Sequence, residues 1–414
     1  MDKEIKTIRG VRDLLPEELE KWQFAEEKAV SLFKSFGFEE IRIPIIEEAA
    51  LFQRSVGTYT DIVQKEMYIF SDKKGRVIAL RPEATAGVVR AYIEHRMFDV
   101  KKIHKFYYSG PMFRYDRPQK GRYRQFYQMG VEIFGGENGF YDGEVILLLD
   151  KFISSIGFKD YIIEINSIGC NKCKPIYTEK LSNYLSENLS SFCNDCKIRA
   201  QNNVLRVMDC KNQTCQQILK DGPNINDFLC QDCKQHKEQT YQYLKIFSIP
   251  YKENPYLVRG LDYYTKTVFE VKISGEENSV AGGGRYDNLV DQLGGPCIPA
   301  VGFAIGMDRI CEILKNPEKK DRIIWVVFLD EKSFAEGIPI IDKLRKKNIK
   351  IIIDYDKRSL KNYLKIVNKQ KIEEVFILGE NELSQKSFLY KNMKNGTQQL
   401  IHFNDITTFF GENL

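Results

Sequence analysis

The sequence predicts an α+β protein: an antiparallel or mixed sheet with helices packed on it, interrupted by a cysteine-rich insertion and followed by a small α/β domain. Three observations predict it. Strand-like runs in residues 1–166, and again in 251–316, are punctuated irregularly by helices. Residues 167–250 change composition, being rich in Asn, Gln, Lys and Cys and poor in Val, while residues 323–414 alternate strand with helix.

In chain order, Pro16 opens a helix that sets Leu19, Trp22, Ala25, Ala29, Leu32, Phe33 and Phe36 at helical spacing before Gly37. FEEIRIP follows as a short strand closed by Pro44, which suits an edge or a strand end. Further strand-like runs are Lys65 to Phe70, Arg76 to Leu80, Phe126 to Phe134 and Tyr161 to Asn166, with a helix from Gly143 to Ile156 ending at Gly157. Strand character returns at 256–273, placing Arg259 and Asp262 at the mouth of a strand rich in aromatic and β-branched residues. AGGGRYD comes next, then PAVGFAIGMDRICEIL, where Gly302 and Gly306 precede a helix. After LKNPEKKDR, which reads as a linker, strands at Ile323 to Leu329, Ile349 to Asp354 and Val375 to Gly379 separated by helices predict a largely parallel sheet.

A chain of 414 residues exceeds what one core supports, so two or three domains are expected. With 43% hydrophobic and 29% charged residues it reads as an ordinary globular protein. The charged opening MDKEIKTIRGVRDLLPEELEK does not read as a secretory signal, and no apolar run approaches a bilayer's span, so a cytoplasmic protein is expected. The net charge of +5 names no partner, but its distribution is uneven. Between Lys101 and Gln125 eight Lys/Arg and one acidic residue are interleaved with Tyr107, Tyr108, Phe113, Tyr115 and Tyr123. Such a stretch suits phosphate or nucleic acid, and equally a solvated basic face.

No P-loop occurs, and Gly282 to Gly284 of AGGGRYD lack the spacing of a dinucleotide fingerprint. The histidines at 95, 104, 236 and 402 are scattered and form no catalytic pattern. Arginine stands out instead. Residues 112–135 predict a hairpin that aims Arg114 and its loop arginines to one side, where guanidinium groups suit a polyphosphate. Alternation puts Phe126, Gln128, Gly130 and Glu132 on one strand face, a possible pocket wall for something small and polar. Taken alone, Glu132 reads better as a salt-bridged carboxylate. In LRPEATAG, Glu83 either receives a cationic amine or sits in the first turn of a helix.

Together these stretches resemble histidyl-tRNA synthetase, a class II aminoacyl-tRNA synthetase family, over essentially the whole chain. GVRDLLP and GFEEIRIPIIE resemble the N-terminal signature and motif 1, the dimer-interface element; FRYDRPQKGRYRQFYQMGVEIFG resembles motif 2, and VGFAIGMDRI motif 3. LRPEATA, RGLDYYTKTVFE and AGGGRYD resemble the histidine-site segments. The resemblance implies a homodimer that converts L-histidine and ATP, with Mg2+, to histidyl-adenylate and then passes histidine to the 3′ end of tRNA-His. It implies Arg114 on the α-phosphate, Phe126 on adenine, and Arg122 and Arg309 on the rest of the nucleotide. Glu83, Thr85 and Gln128 are implied for the amino group, Glu132 and Tyr264 for the imidazole with Tyr263 beside it. Arg259 is implied where the histidine carboxylate meets the α-phosphate, with Gly260 allowing close approach; Arg117 and Gln119 in the motif 2 loop are candidates for contacting the first base pair of the acceptor stem, with ordinary loop solvation as the alternative. Two positions depart from the family's pattern: Asp308 replaces the usual Glu of motif 3, keeping the charge on a shorter arm, and Ala84 replaces a usual Gly. Rival readings are the non-catalytic synthetase-like regulatory subunit of ATP phosphoribosyltransferase and a class II synthetase of another specificity, such as prolyl or threonyl.

Independently of that resemblance, eight of ten cysteines fall in the insertion, as Cys170/Cys173, Cys193/Cys196, Cys210/Cys215 and Cys230/Cys233. Three are C-x2-C pairs, a spacing that lets two thiolates meet one Zn2+. Disulfides are disfavoured in the expected compartment. Two structural zinc sites of four thiolates, one site with spare thiols, or buried free cysteines all fit the counts.

Overall fold

The computed structural model describes residues 4–57, 60–119, 121–317, 322–345, 349–354, 356 and 358–409. They divide into two units, one through Pro317 and one made of the described residues after it. Much of the linker expected at LKNPEKKDR, residues 318–321, lies outside the described residues.

In the first unit eight strands form one sheet in the order Glu39–Glu40, His104–Phe113, Gln125–Phe134, Ala300–Gly306, Ala281–Arg285, Thr265–Ile273, Tyr161–Ser167, Tyr251–Glu253. Neighbours are antiparallel except at the two edges. Period-2 alternation divides the sheet's faces. Met129, Val131 and Ile133 enter a core with Trp22, Ala25, Ala29 and Phe33 of the helix Pro16–Ser35 and with the apolar face of the helix Gly139–Ser155. Phe126, Gln128 and Glu132 therefore face the other way, into a cavity.

Several elements differ from the sequence reading. Of FEEIRIP only Glu39–Glu40 pairs, at the edge beside His104–Phe113. The run Lys65 to Phe70 is a π-helical turn, Ile62–Glu66, before a strand at Ile69–Ser71. That strand joins Ile46–Glu48 and Val77–Leu80 in a separate three-stranded antiparallel sheet. The helix expected from Gly143 begins at Gly139, because the Asn138 side chain accepts from Phe140 N and caps it there. The strand expected over 256–273 begins only at Thr265, leaving Arg259, Tyr263 and Tyr264 on a loop.

Residues 168–250 fold as helices Lys174–Glu187, Asn194–Asn202, Gln213–Lys220 and Gln231–Ile246 around Tyr177, Leu181, Leu185, Leu219 and the cysteines. The last of these packs back on Gly139–Ser155 so closely that a Cβ at Gly139 or Gly143 would lie 2.3 Å from His236 O or 2.6 Å from Tyr243 Cβ. Beside that contact, buried Asp142 accepts from Arg285 Nε at 3.0 Å and lies 3.1 Å from His236 Nε2. Burial would raise its pKa, but Arg285 and the hydrogen bond with His236 hold the carboxyl below its usual range.

The second unit holds a five-stranded sheet in the order Lys350–Ile353, Ile323–Phe328, Glu374–Leu378, Ser387–Asn392, Gln398–His402. The first three strands are parallel, as expected, and IIWVVF is buried along most of its length as a parallel strand covered on both faces should be. The last two are an antiparallel addition, so the sheet is mixed rather than largely parallel.

Candidate active site

A cavity of ≈ 230 Å³ opens on the sheet face opposite the main core. Residues at positions 83, 85, 114, 122, 126, 128, 132, 259, 263, 264 and 309 all line it, so the residues expected to meet histidine and ATP are brought to one place, while Arg117 and Gln119, expected at the acceptor stem, do not line it.

One end is cationic. Arg114 follows directly on the strand His104–Phe113 and Phe126 lies on its hairpin partner Gln125–Phe134, with the guanidinium 5.3 Å from the ring centroid and Nε donating to Pro82 O at 2.9 Å. Arg122 pairs with Asp116 at 3.4 Å. Arg309, at the start of the helix Met307–Ile313, donates to Ser279 O at 2.7 Å and to Gly121 O at 3.2 Å. Burial lowers the Arg309 pKa, and Arg122, Arg114 and Arg259 push it the same way. Like charges crowded in a half-desolvated space favour an anion among them.

Arg259 reaches the same end from its loop, with Nη1 3.0 Å from Glu270 Oε2 and a buried Nε that has no partner among the described residues. Space for its guanidinium is provided by Gly282, where a Cβ would lie 2.5 Å from Arg259 Nη2. Gly260, expected to allow the close approach, has only Arg206 Nη1 near its Cβ position, at 3.3 Å. The glycine that matters for Arg259 is thus on a neighbouring strand.

The other end is acidic but internally satisfied. Glu83 accepts from Thr85 N at 2.7 Å and Ala86 N at 2.9 Å, so it caps the helix Thr85–Glu94 from just before its first turn while lining the cavity. Ala84 between them has φ −102°, an ordinary value that asks for no glycine. Glu132 accepts from the Thr85 hydroxyl at 2.7 Å and is hydrogen-bonded to the Tyr286 hydroxyl. Burial raises its pKa to about 8, more than those two hydrogen bonds lower it. Gly302 makes this packing possible, since a Cβ there would lie 1.8 Å from Glu132 Oε2. Tyr263 and Tyr264 are buried with ring centroids 4.7 Å apart, and Tyr286 stands edge-on to Tyr263 at 5.6 Å. Gln128 Oε1 is buried without a partner among the described residues, an acceptor left for a ligand.

Asp308 accepts from Tyr127 N at 2.8 Å and from Arg12 Nη2 at 3.3 Å, while Arg12 lies 4.5 Å over the Tyr123 ring. The shorter carboxylate therefore still bridges its helix to the Gln125–Phe134 strand. Sequence reasoning gave Gly282 and Tyr286 only as members of AGGGRYD, a segment resembling the histidine site, noted Gly302 only as preceding a helix, and assigned no role to Asp116.

The cysteines form two quartets, Cys170, Cys173, Cys230, Cys233 and Cys193, Cys196, Cys210, Cys215, each with all sulfurs within 4.8 Å of one another. Cys170–Cys173, Cys170–Cys230, Cys173–Cys233 and Cys193–Cys210 are 3.7, 3.8, 3.6 and 3.8 Å apart. Four thiolates about 2.3 Å from a tetrahedral zinc lie about 3.8 Å from one another, whereas a disulfide needs about 2.05 Å. Backbone N–H groups of Lys172 and Asn212 point at sulfurs of Cys170 and Cys210 at 3.4 Å, as they do around thiolates. The donor set fits zinc.

A family model for histidyl-tRNA synthetase matches residues 10–310, and a model for an anticodon binding domain matches residues 322–413. A synthetase core followed by an anticodon-binding domain defines the class, an aminoacyl-tRNA ligase. The chain is 46% identical over 404 residues to a histidine–tRNA ligase of Thermodesulfovibrio yellowstonii, covering 96% of each, and 43% identical to one of Aquifex aeolicus, covering 97% of this chain and 100% of that one. The apo crystal structure of S. aureus histidyl-tRNA synthetase superposes with TM-score 0.81 at 34% identity over 98% of this chain and 100% of that one. The chain belongs to the histidyl-tRNA synthetase family. A Bacillus halodurans structure titled as an ATP phosphoribosyltransferase regulatory subunit/histidyl-tRNA synthetase, at 19% identity and TM-score 0.67 over 88% of this chain and 97% of that one, shares the fold alone.

Proposed function

We propose that this chain activates L-histidine with ATP and transfers it to tRNA-His. The observation that carries the reading is the cavity's polarity: four arginines converge on one end, and a carboxylate-hydroxyl cluster with an open acceptor lies at the other. In the first step a histidine carboxylate oxygen attacks the α-phosphorus of ATP, bound as its Mg2+ complex. The bond to the bridging oxygen of the β-phosphate breaks and pyrophosphate leaves. Arg114 and Arg259 stabilise the charge that builds on the α-phosphate, Arg122 and Arg309 hold the remaining phosphates, and Phe126 stacks on adenine. Glu83, Thr85 and Gln128 receive the amino group. Glu132 and Tyr264, with Tyr263 beside them, receive the imidazole, and an apolar competitor would leave these polar groups unpaired. In the second step the 3′-hydroxyl of tRNA attacks the histidyl carbonyl and AMP departs, with Arg117 and Gln119 of the exposed hairpin loop at the acceptor stem.

We assign residues 1–166 and 251–316 to catalysis, 167–250 to an insertion that leans on the acceptor arm, and 323–414 to the anticodon. The two quartets take one structural Zn2+ each, held entirely by thiolates. A homodimer is supported by the exposed Ile46 and Phe70, which the register places on one face of the small sheet beside exposed Ile45, apolar surface that a second copy would cover. Among the described residues no helix is long and apolar enough to cross a membrane, and we place the enzyme in the cytoplasm. Histidine-dependent exchange of pyrophosphate into ATP tests the reading. Exchange with histidine, and none with proline or threonine, is expected; no exchange with histidine would defeat it in favour of a regulatory subunit.

A further inference from the structure

We infer that the second quartet, Cys193, Cys196, Cys210 and Cys215, positions the substrate loop that carries Arg259, acting through Asn203 and Arg206. This rests on reading the quartets as metal sites and deepens that reading by giving one site a role in the reaction.

The loop at 257–264 carries Arg259, Tyr263 and Tyr264 yet lies outside the strand ladder, so something else must hold it. Its partners come from the segment between Cys196 and Cys210. Cys196 sits within the helix Asn194–Asn202, and Cys210 caps the end of the 3-10 turn Val204–Asp209. Asn203, at the joint between these two elements, donates from Nδ2 to Asp262 Oδ1 at 2.8 Å. Arg206 Nη1 donates to Arg259 O at 3.4 Å, while Nη2 pairs with Asp61 at 3.5 Å and Asp209 at 3.8 Å. Asp262 is wedged from its other side as well. Its N–H donates to Val56 O at 3.1 Å, and at Gly57, where φ is +102°, a Cβ would lie 2.3 Å from Asp262 Oδ2. The positioning side chains are therefore fixed at both flanks by cysteines of one quartet and grip the loop on the side away from the ATP end.

The segment cannot hold this shape by burial alone. Between Cys196 and Cys210 only Val207 and Met208 are buried hydrophobics, and the rest is Lys, Arg, Gln, Asn and half-exposed apolar residues. A four-thiolate site supplies folding free energy where a core this small does not. A second cavity, ≈ 360 Å³, lies on the insertion side of Arg259, lined by Lys174, Asn203, Arg206 and Asp262. Arg259 lines both spaces, and on the side of the second the contacts from Asn203 and Arg206 hold its loop. The first quartet has a different place. Cys173 and Cys230 stand at the N-termini of the helices Lys174–Glu187 and Gln231–Ile246, so it clamps the root of the helical region, with Lys174 Nζ donating to Tyr264 O at 3.4 Å.

The test uses the full-length protein, with zinc per chain from metal analysis and histidine KM and kcat from pyrophosphate exchange. Wild type is expected to hold two zinc ions. Cys210→Ser should hold one and raise the histidine KM about tenfold. Arg206→Ala and Asn203→Ala should keep both ions and still raise KM by a similar factor with a smaller change in kcat, Arg206→Lys should recover part of the loss, and Cys210→Ser with Arg206→Ala should lose little more than either alone. Wild-type KM in both Arg206→Ala and Asn203→Ala, with two zinc ions present, would overturn the positioning role while leaving the metal sites standing. Additive losses in the combined variant would overturn the link between quartet and loop. Wild-type protein purified without zinc would overturn the metal reading itself.

Discussion

The two ends of the catalytic cavity are built on opposite principles. At the carboxylate end the charged groups already have protein partners: Glu83 caps a helix and Glu132 is held by Thr85 and Tyr286. At the arginine end Arg114, Arg122, Arg259 and Arg309 crowd one space, and Arg122, Arg114 and Arg259 add to burial in lowering the Arg309 pKa. The difference teaches which end supplies selectivity and which supplies rate. A satisfied cluster is rigid before substrate arrives and rejects a ligand that cannot match its hydrogen bonds. A crowded cluster of cations gains most when negative charge grows on phosphate oxygens, which happens in the transition state.

Removing a charge from the arginine end should therefore have the largest effect. Arg259→Ala is expected to lower histidine-dependent pyrophosphate exchange by about 10²–10³-fold while slowing transfer from preformed adenylate far less. Rapid-quench measurement of the two steps separates them. Equal losses in both would make Arg259 a structural residue and erase the contrast between the ends.

A smaller effect is expected where the carboxylate end leaves an acceptor open. Gln128→Ala removes the buried, unpartnered Oε1 and should raise the histidine KM about tenfold with kcat little changed, since an interaction made equally in ground and transition states is lost. A fall in kcat with KM unchanged would place Gln128 at the reacting centre and shift rate-making groups to both ends.

How much of this could be read from sequence follows the range of the interaction. Phe126, Gln128 and Glu132 were legible because a strand's period of two places them on one face whatever lies across from them. The hairpin that aims Arg114 was legible for the same local reason. Tyr286 was not, because its partner Glu132 is 154 residues away. Gly282 and Gly302 act by lacking a side chain, so nothing in their own chemistry marks Arg259 or Glu132 as the beneficiary. The loop at 257–264 reads as strand because its tyrosines and the β-branched residues after it favour pleated backbone; Asn203, Arg206 and Val56 O hold it otherwise, and those contacts come from segments far along the chain. Cysteine spacing told which thiols pair locally but not that the first and last pairs meet around the middle two. In the second unit the closing strand Gln398–His402, largely exposed and opening with two glutamines, carries too little apolar alternation to announce itself.

The smallest effect on rate, and the sharpest check on the carboxylate end, comes from Glu132→Gln. A glutamine keeps the shape and can still accept a ring N–H, so exchange near neutral pH should fall less than for Gln128→Ala. Stability should respond instead. Burial lifts the Glu132 pKa from the ordinary 4.5 to about 8 in the folded chain. Below about pH 4.5 both folded and unfolded states hold the proton and Glu132 contributes no pH dependence. Between there and pH 8 the unfolded state ionises while the folded state keeps its proton, so unfolding releases a proton and stability falls as pH rises. Above about pH 8 both states are ionised and the loss is complete. Thermal melts of unliganded protein should therefore show wild type losing stability relative to Glu132→Gln across that window, with the two curves parallel outside it. Parallel curves throughout would mean that Glu132 ionises as a solvated carboxylate does, and the carboxylate end would then be no more preorganised than the arginine end it is contrasted with.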